Sequence, residues 1–321
     1  MTSSPSHGPI VVLAGGLSHE REVSLRSGRR VAQALRDQGR EVVESDVNPS
    51  LIDLLGSLDR PVAFPVLHGG VGEDGGLQQV LTLLGVPYVG SEPAACRRSF
   101  NKAVAGPLAA QAGLARPRQA ALPHDMFREL GAAHLVRALG DRIGYPMMVK
   151  PARSGSALGC SRVDSADAVP SAMVGAYAYG DLAVVEEFVE GTEVAVTVVE
   201  LDGRPTPLPA VEIRPNSGIY DYTARYTAGE TRFITPAQVS DEVAAACAAL
   251  AVSAHTVLGL RDLSRADIIV RPDGTPVLIE TNSAPGMTET SLLPLAVEAA
   301  GYDFGVLCGQ LVDNAWARHT A

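Results

Sequence analysis

The chain has 321 residues, 46% of them hydrophobic and 19% charged, enough for two or three domains with cores of their own. A formal net charge of −10 argues against a nucleic-acid partner, since no basic field exists to displace counterions, and no apolar run reaches the length of a bilayer span. Four cysteines lie far apart, without metal or disulfide spacing, and the N-terminal residues read as a loose tail rather than a signal peptide, so the expectation is a cytoplasmic protein with no membrane partner.

Residues 9–90 alternate β-rich runs (10–14, 41–45, 62–67 and 87–89) with helix-like stretches, the clearest over 23–38 and stopping at Gly39. That alternation predicts a parallel sheet with helices on its faces. Within it, Gly70-Val71-Gly72-Glu73-Asp74-Gly75 fits a dinucleotide fingerprint, but Glu73 and Asp74 would set two carboxylates where a pyrophosphate needs N–H groups. No phosphate-binding loop of the G-x-x-x-x-G-K-[ST] type occurs.

From about residue 92 helices rich in alanine and arginine follow, over 93–112 and 125–139. A strand over 146–149, a glycine-rich loop and a helix over 166–177 come next. Only two lysines occur against 24 arginines, and both flank this region: Lys102 opens a helix, and Lys150 ends the strand before Ser154-Gly155-Ser156. A compact ammonium coordinates phosphate as a point charge, which a guanidinium fork does not reproduce. Strands dominate beyond Val184, and Val194, Val196 and Val198 mark the buried face of a half-buried strand over 193–201. The polar segment 214–236 is too long for an idle connection. The implied class is α/β, α+β in the C-terminal part, divided at 1–91, 92–186 and 187–321.

Near the C-terminus, Pro272-Asp273-Gly274-Thr275 separates two apolar runs and predicts a β-hairpin with a two-residue turn. In that register Asp267 lies opposite Glu280 and Arg265 opposite Asn282, all on one face. Two carboxylates so placed repel each other, so a cation belongs between them, and an oxygen-only ligand set favours Mg²⁺ or Mn²⁺. The plainer alternative is that Arg265 neutralises the pair, although one arginine does not easily offset two carboxylates. The turn at Pro285-Gly286, with a helix expected from near Thr288, offers N–H groups to an oxyanion.

Taken together, Gly15-Gly16, Ser18, Glu20 and Ser24, His68-Gly69 with Gly72-Glu73-Asp74-Gly75, and Lys150-Pro151 with Gly155-Ser156 form one series. Glu186-Glu187-Phe188-Val189, Glu193, Tyr220-Asp221-Tyr222 with Tyr226, Arg265 with Asp267, Glu280 with Asn282, and Pro285-Gly286-Met287-Thr288 complete it. In this order and spacing the chain closely resembles the D-alanine–D-alanine ligases of the ATP-grasp superfamily, from Val11 to about Gly301.

The resemblance implies a three-domain ATP-grasp fold with ATP and Mg²⁺ (two ions) or Mn²⁺ between the central and C-terminal domains, D-alanine as substrate, and a homodimer. It implies that Lys102 and Lys150 hold the ATP phosphates beneath the loop 153–159. Residues Glu186, Glu187, Phe188 and Val189 would form the adenine hinge, and Glu193 would bind ribose. Asp267, Glu280 and Asn282 are the implied metal ligands, and Arg265 with the Gly286 N–H the oxyanion stabilisers. Glu20 would hold the first D-alanine's ammonium, in a hydrogen-bonded set with Ser156 and Tyr226. Ser291 and Leu292 would receive the second carboxylate, with His68 lining the site. Two positions depart from the family pattern: Ala157 replaces a serine and leaves a backbone N–H for phosphate, and Arg225 replaces a lysine beside the ATP. The rivals are a ligase for another D-amino acid or D-hydroxy acid pair, or a nucleotide-binding regulator without turnover. Tyr226 favours D-alanine as acceptor, and Arg265 argues against a mere binder.

Overall fold

In the computed structural model, residues 7–227 and 229–320 are described, Tyr222 and Tyr226 by their backbone alone. The first layer is a parallel sheet of β1 (Ile10–Leu13), β2 (Val42–Ser45) and β3 (Val62–Pro65) in the order β2-β1-β3. Three helices serve it: α1 (Arg21–Asp37), α2 (Leu51–Ser57) and α3 (Gly76–Leu83). α1 buries Val31, Ala32 and Leu35, and Gly39 beyond its end takes the left-handed conformation, as the sequence predicts. The run 87–89 is no full strand. Pro87 can only accept a hydrogen bond, and a single bridge links Tyr88 to Ala63.

The predicted helix 93–112 is two helices, α4 (Pro93–Phe100) and α5 (Lys102–Gln111). Asn101 leaves helical geometry and caps α5, its Oδ1 accepting from the Ala103 N–H at 3.1 Å. Likewise Gly131, with φ of 79°, splits 125–139 into α6 (His124–Leu130) and α7 (Ala132–Arg142). The second sheet is antiparallel, with β4 (Gln119–Pro123), β5 (Met147–Pro151), β6 (Ser161–Val163) and β7 (Leu182–Glu187) in the order β4-β7-β5-β6. α8 (Val169–Tyr177) covers it, burying Val169, Ala172, Met173 and Ala176.

The third sheet contains β8 (Thr192–Leu201), β9 (Arg204–Pro207), β10 (Val211–Pro215), α9 (Tyr222–Tyr226) in the connection to β11 (Thr231–Ile234), then α10 (Asp241–Leu258), β12 (Leu263–Val270) and β13 (Pro276–Asn282). Its order is β11-β10-β8-β12-β13, with β9 on β8. β8 is buried on both faces rather than half-buried: Val194, Val196 and Val198 face α10, and Ala195 and Val199 join the core beneath α11 (Leu292–Ala299) and α12 (Phe304–Thr320). α10 is, by length and composition alone, long and apolar enough to cross a membrane. Its Cys247, Leu250, Ala251 and Ala254 nevertheless pack into the core on the sheet. α11 starts at Leu292, four residues later than predicted, because the chain turns on a Ser291 N–H to Thr288 carbonyl bond first. α12 returns to pack on α1, so the first and third layers share one core through Ile10, Phe64, Leu307 and Leu311.

Candidate active site

Two cavities open where the three layers meet. One, of about 740 Å³, lies between the second and third sheets, and the other, of about 530 Å³, lies beneath the first sheet. They share Lys102, Ser154, Tyr220, Arg225 and Glu280 in their walls, so whatever occupies one faces whatever occupies the other across these side chains.

The larger cavity gathers the predicted nucleotide residues. Lys150, on β5, donates to Glu186 Oε2 at 2.6 Å from almost complete burial. Burial opposes its charge, but the Glu186 carboxylate outweighs that and raises its pKa. Lys102, at the start of α5, donates to the Ser154 carbonyl at 2.8 Å and lies 3.3 Å from Glu280 Oε2. Both lysines therefore stand in the cleft with their ammonium groups held by carboxylates. Over 186–189 the expectation of a backbone hinge narrows. The Glu187 N–H donates to the Arg118 carbonyl and the Phe188 N–H to the Pro146 carbonyl, leaving the Val189 N–H without an acceptor among the described residues. The Glu186 side chain is buried in the wall, Glu187 binds Arg118 and Arg271, and Phe188 lies under the Arg162 guanidinium at 4.3 Å. Glu193 lines the same cavity, and burial pushes its carboxyl up to about 7 against the pull of Arg225. Arg225 stacks on Tyr220 at 4.2 Å, near Asp267 and Glu280. Ser156 and Ala157 both adopt left-handed φ, 52° and 56°, a cost usually found where a loop must present its backbone.

On the hairpin, Asp267 pairs with Glu280 and Arg265 with Asn282, as predicted, but the turn is not the predicted one. The Gly274 N–H bonds to Arg271 and the Arg271 N–H to Thr275, a three-residue loop that shifts the outer register by one. A bulge at Ile279 restores the pairing at the site, since Ile268 pairs with Leu278 and Asp267 with Glu280. Arg265 binds Asp267 through two bonds of 2.6 and 2.9 Å, so the plainer alternative is partly realised: it neutralises one carboxylate, while Lys102 faces the other. Burial would raise the Glu280 carboxyl, but Lys102 and Lys150 hold it down to about 2. Asn282 Oδ1 accepts from the Ala284 N–H at 2.7 Å and keeps a second lone pair. Two opposed carboxylates and an amide oxygen suit a hard divalent cation. Among the described residues no cluster of three His, Cys, Asp or Glu that could hold a metal ion occurs, so the candidate set is two carboxylates and an amide.

The smaller cavity gathers the predicted amino-acid residues. Glu20 accepts from the Ser156 hydroxyl, which ties the first layer to the loop after β5. His68 is fixed in one tautomer: Nδ1 is 3.0 Å from the Ala284 carbonyl and must donate, so Nε2 accepts from Ser27, 3.0 Å away. Burial lowers its pKa, against Glu20, and this neutral ring lines the cavity as a structural strut. Gly286 belongs to the wall, and a Cβ there would lie 2.8 Å from Ser291 Oγ. Ser291 starts α11 but does not cap it by its side chain; its hydroxyl instead accepts from the Thr288 N–H at 3.0 Å. Leu292 is buried beside it. Glu73 is buried, and burial, then Glu20, push its carboxyl up to about 8. The Tyr226 side chain lies outside the described residues; its backbone ends α9. Ser27 and Arg116 escaped the sequence reading because neither belongs to a motif; each acts by supporting a motif residue.

Comparison with known proteins bears on this arrangement. The family description "D-ala D-ala ligase C-terminus" matches residues 108–313, and "D-ala D-ala ligase N-terminus" matches 49–91. A D-alanine–D-alanine ligase of Anaeromyxobacter sp. (strain Fw109-5) is 41% identical over 306 residues, covering 95% of this chain and 96% of that one. The chain belongs to the D-alanine–D-alanine ligase family. Its fold is accordingly the ATP-grasp fold of that family. D-alanyl-alanine synthetase A of Vibrio cholerae superposes with a TM-score of 0.86 at 26% identity, over 97% of this chain and 99% of the other. The D-alanine–D-alanine ligase of Bacillus anthracis, solved in complex with ATP, superposes with a TM-score of 0.81 at 26% identity, over 98% and 99%.

Proposed function

We propose that this chain is an ATP-dependent ligase that joins two D-alanines into the dipeptide used in peptidoglycan precursors. The observation that carries this reading is the shared wall of the two cavities, where Lys102, Arg225 and Glu280 face both. A carboxylate is a poor electrophile, and such a junction lets the first amino acid's carboxylate attack the ATP γ-phosphorus. ADP leaves and an acyl phosphate forms; the second amino acid's neutral amine then attacks the acyl carbon and inorganic phosphate departs. Lys102 and Lys150 bind and orient the triphosphate, and Glu20 holds the first ammonium. Arg265, whose Nη1 has no acceptor among the described residues, and the Gly286 N–H stabilise the tetrahedral oxyanion. Asp267, Glu280 and Asn282 would hold Mg²⁺, which supplies neutralisation of phosphate charge when bound.

The connection between β10 and β11, through α9, closes over the junction and excludes water from the acyl phosphate. Hydrogen exchange checks this closure: protection over 216–227 rises when ATP and a phosphinate mimic of the intermediate bind, and equal protection would discard the lid. The division at 1–91, 92–186 and 187–321 and a cytoplasmic homodimer belong to the same reading, and light scattering tests the dimer. The activity itself is tested by ATP-dependent phosphate release across D-alanine, D-serine and D-lactate. D-alanine alone should support turnover and yield a dipeptide by mass spectrometry; turnover only with a mixed pair would replace the substrate assignment.

A further inference from the structure

Behind Lys150 stands an ion pair that no motif announces. The Arg116 and Glu186 side chains are only 8% and 2% exposed, and Glu186 divides its oxygens between two cations. Oε2 accepts from Lys150 Nζ at 2.6 Å, and Oε1 accepts from Arg116 Nη2 at 3.1 Å. The same Nη2 reaches Gln119 Oε1 at 2.5 Å, and Gln119 Nε2 reaches the Lys102 carbonyl at 3.5 Å. A continuous polar chain thus runs from the ammonium of one cleft lysine to the backbone of the other. Room for it comes from Gly106 on α5, where a Cβ would lie 2.2 Å from Arg116 Nη1 and 2.3 Å from Gln119 Oε1.

We infer that Arg116 is a positioning residue for the nucleotide: it shares Glu186 with Lys150, so that the lysine ammonium is aimed into the cleft yet keeps donors for a phosphate. A buried carboxylate with one cation concentrates its whole charge there, and one with none takes up a proton. Without Arg116, Glu186 Oε1 has no donor in its wall. Glu186 then turns its whole charge on Lys150 and draws the ammonium back from the cleft. That weakens the hold on ATP while Lys150 makes no contact with the amino-acid cavity.

This inference rests on the nucleotide half of the proposed function, so its test measures ATP binding directly. Calorimetric titration of the full chain with ATP and Mg²⁺, without D-alanine, should give about tenfold weaker binding for Arg116→Gln, the scale of one charge-assisted hydrogen bond. Arg116→Lys should recover most of it. In steady-state assays the KM for ATP rises while kcat stays within about twofold and the KM for D-alanine is unmoved. Gly106→Ala is the second variant, and it decides the matter if Arg116→Gln does not fold. Its added methyl displaces Arg116 and weakens ATP binding, while the gain in helix preference offsets part of the cost of moving a buried charge, so the chain should stay folded with a lower Tm. Wild-type ATP affinity in both variants would overturn the inference, and so would a parallel shift in both substrates. If the wild-type chain binds ATP but makes no dipeptide, the proposed function fails and the comparison of ATP affinities still stands.

Discussion

The nucleotide cleft and the amino-acid cavity are built by opposite means. The cleft is a lattice of buried charges in which both lysines are already held by carboxylates: Lys150 by Glu186 and Lys102 by Glu280. The cavity beneath the first sheet is shaped instead by turns and hydroxyls, with Ser27 and the Ala284 carbonyl fixing His68 and Ser291 fixing the turn at Thr288. One region presents charge that an incoming triphosphate can claim; the other presents shape that a small zwitterion must fit. Substitutions in the first should therefore act on ATP and turnover, and those in the second on amino-acid constants.

The largest effect is expected from Glu280→Gln. It removes the charge opposite Asp267 and the partner of Lys102, and kcat should fall about a hundredfold, a loss of about 3 kcal/mol of charge stabilisation. A loss under about threefold would mean that Glu280 serves only to pair Lys102. Next come Lys150→Arg and Lys102→Arg, which keep the charge and change its shape. Each should raise the KM for ATP about tenfold or more, because a planar fork does not fit where a compact ammonium sat. Near-normal constants would reduce the scarcity of lysine to drift in composition.

The other region is probed by Gly286→Ala. Its methyl would meet Ser291 Oγ at 2.8 Å, so the KM for the second D-alanine should rise roughly fivefold while that for ATP stays put. A shift in the ATP constant would break the separation between the regions. The smallest effect is one of stability. Glu73 keeps its proton in the folded chain up to about 8, whereas its ordinary value is 4.5. The unfolded chain thus loses that proton first, and stability falls as pH rises through this window. Glu73→Gln should flatten the slope of Tm against pH between 5 and 8 and be the more stable form at the upper end. An unchanged slope would place the Glu73 carboxylate in contact with water.

The same contrast explains what was legible in the sequence. Charge in rare places is visible in a string of letters, so two lysines and an acidic hairpin pointed to the cleft directly. The hairpin pairing came out right through two offsetting departures: a three-residue loop where two were expected, and a bulge at Ile279. Neither is encoded by apolar alternation, because a bulge leaves the residue types unchanged and alters only which of them face each other. The breaks at Asn101 and Gly131 were likewise hidden within long alanine-rich runs, although each has the residue type that ends or starts a helix. Shape was read less well. His68 was legible only as lining the site, and its two hydrogen-bond partners make it a strut. Glu186 was read only as part of the hinge, and the anchoring of Lys150 by its side chain was not legible, because its other partner Arg116 lies 70 residues earlier in the chain.

The central claim is that the two cavities act as one, with a carboxylate in the smaller attacking a phosphate in the larger. D-alanine carrying ¹⁸O in its carboxylate tests this directly. If the acyl phosphate forms across Lys102, Arg225 and Glu280, one labelled oxygen passes to phosphorus and is recovered in the inorganic phosphate, in step with the dipeptide formed. Phosphate released without label, or label retained entirely in the dipeptide, would contradict it.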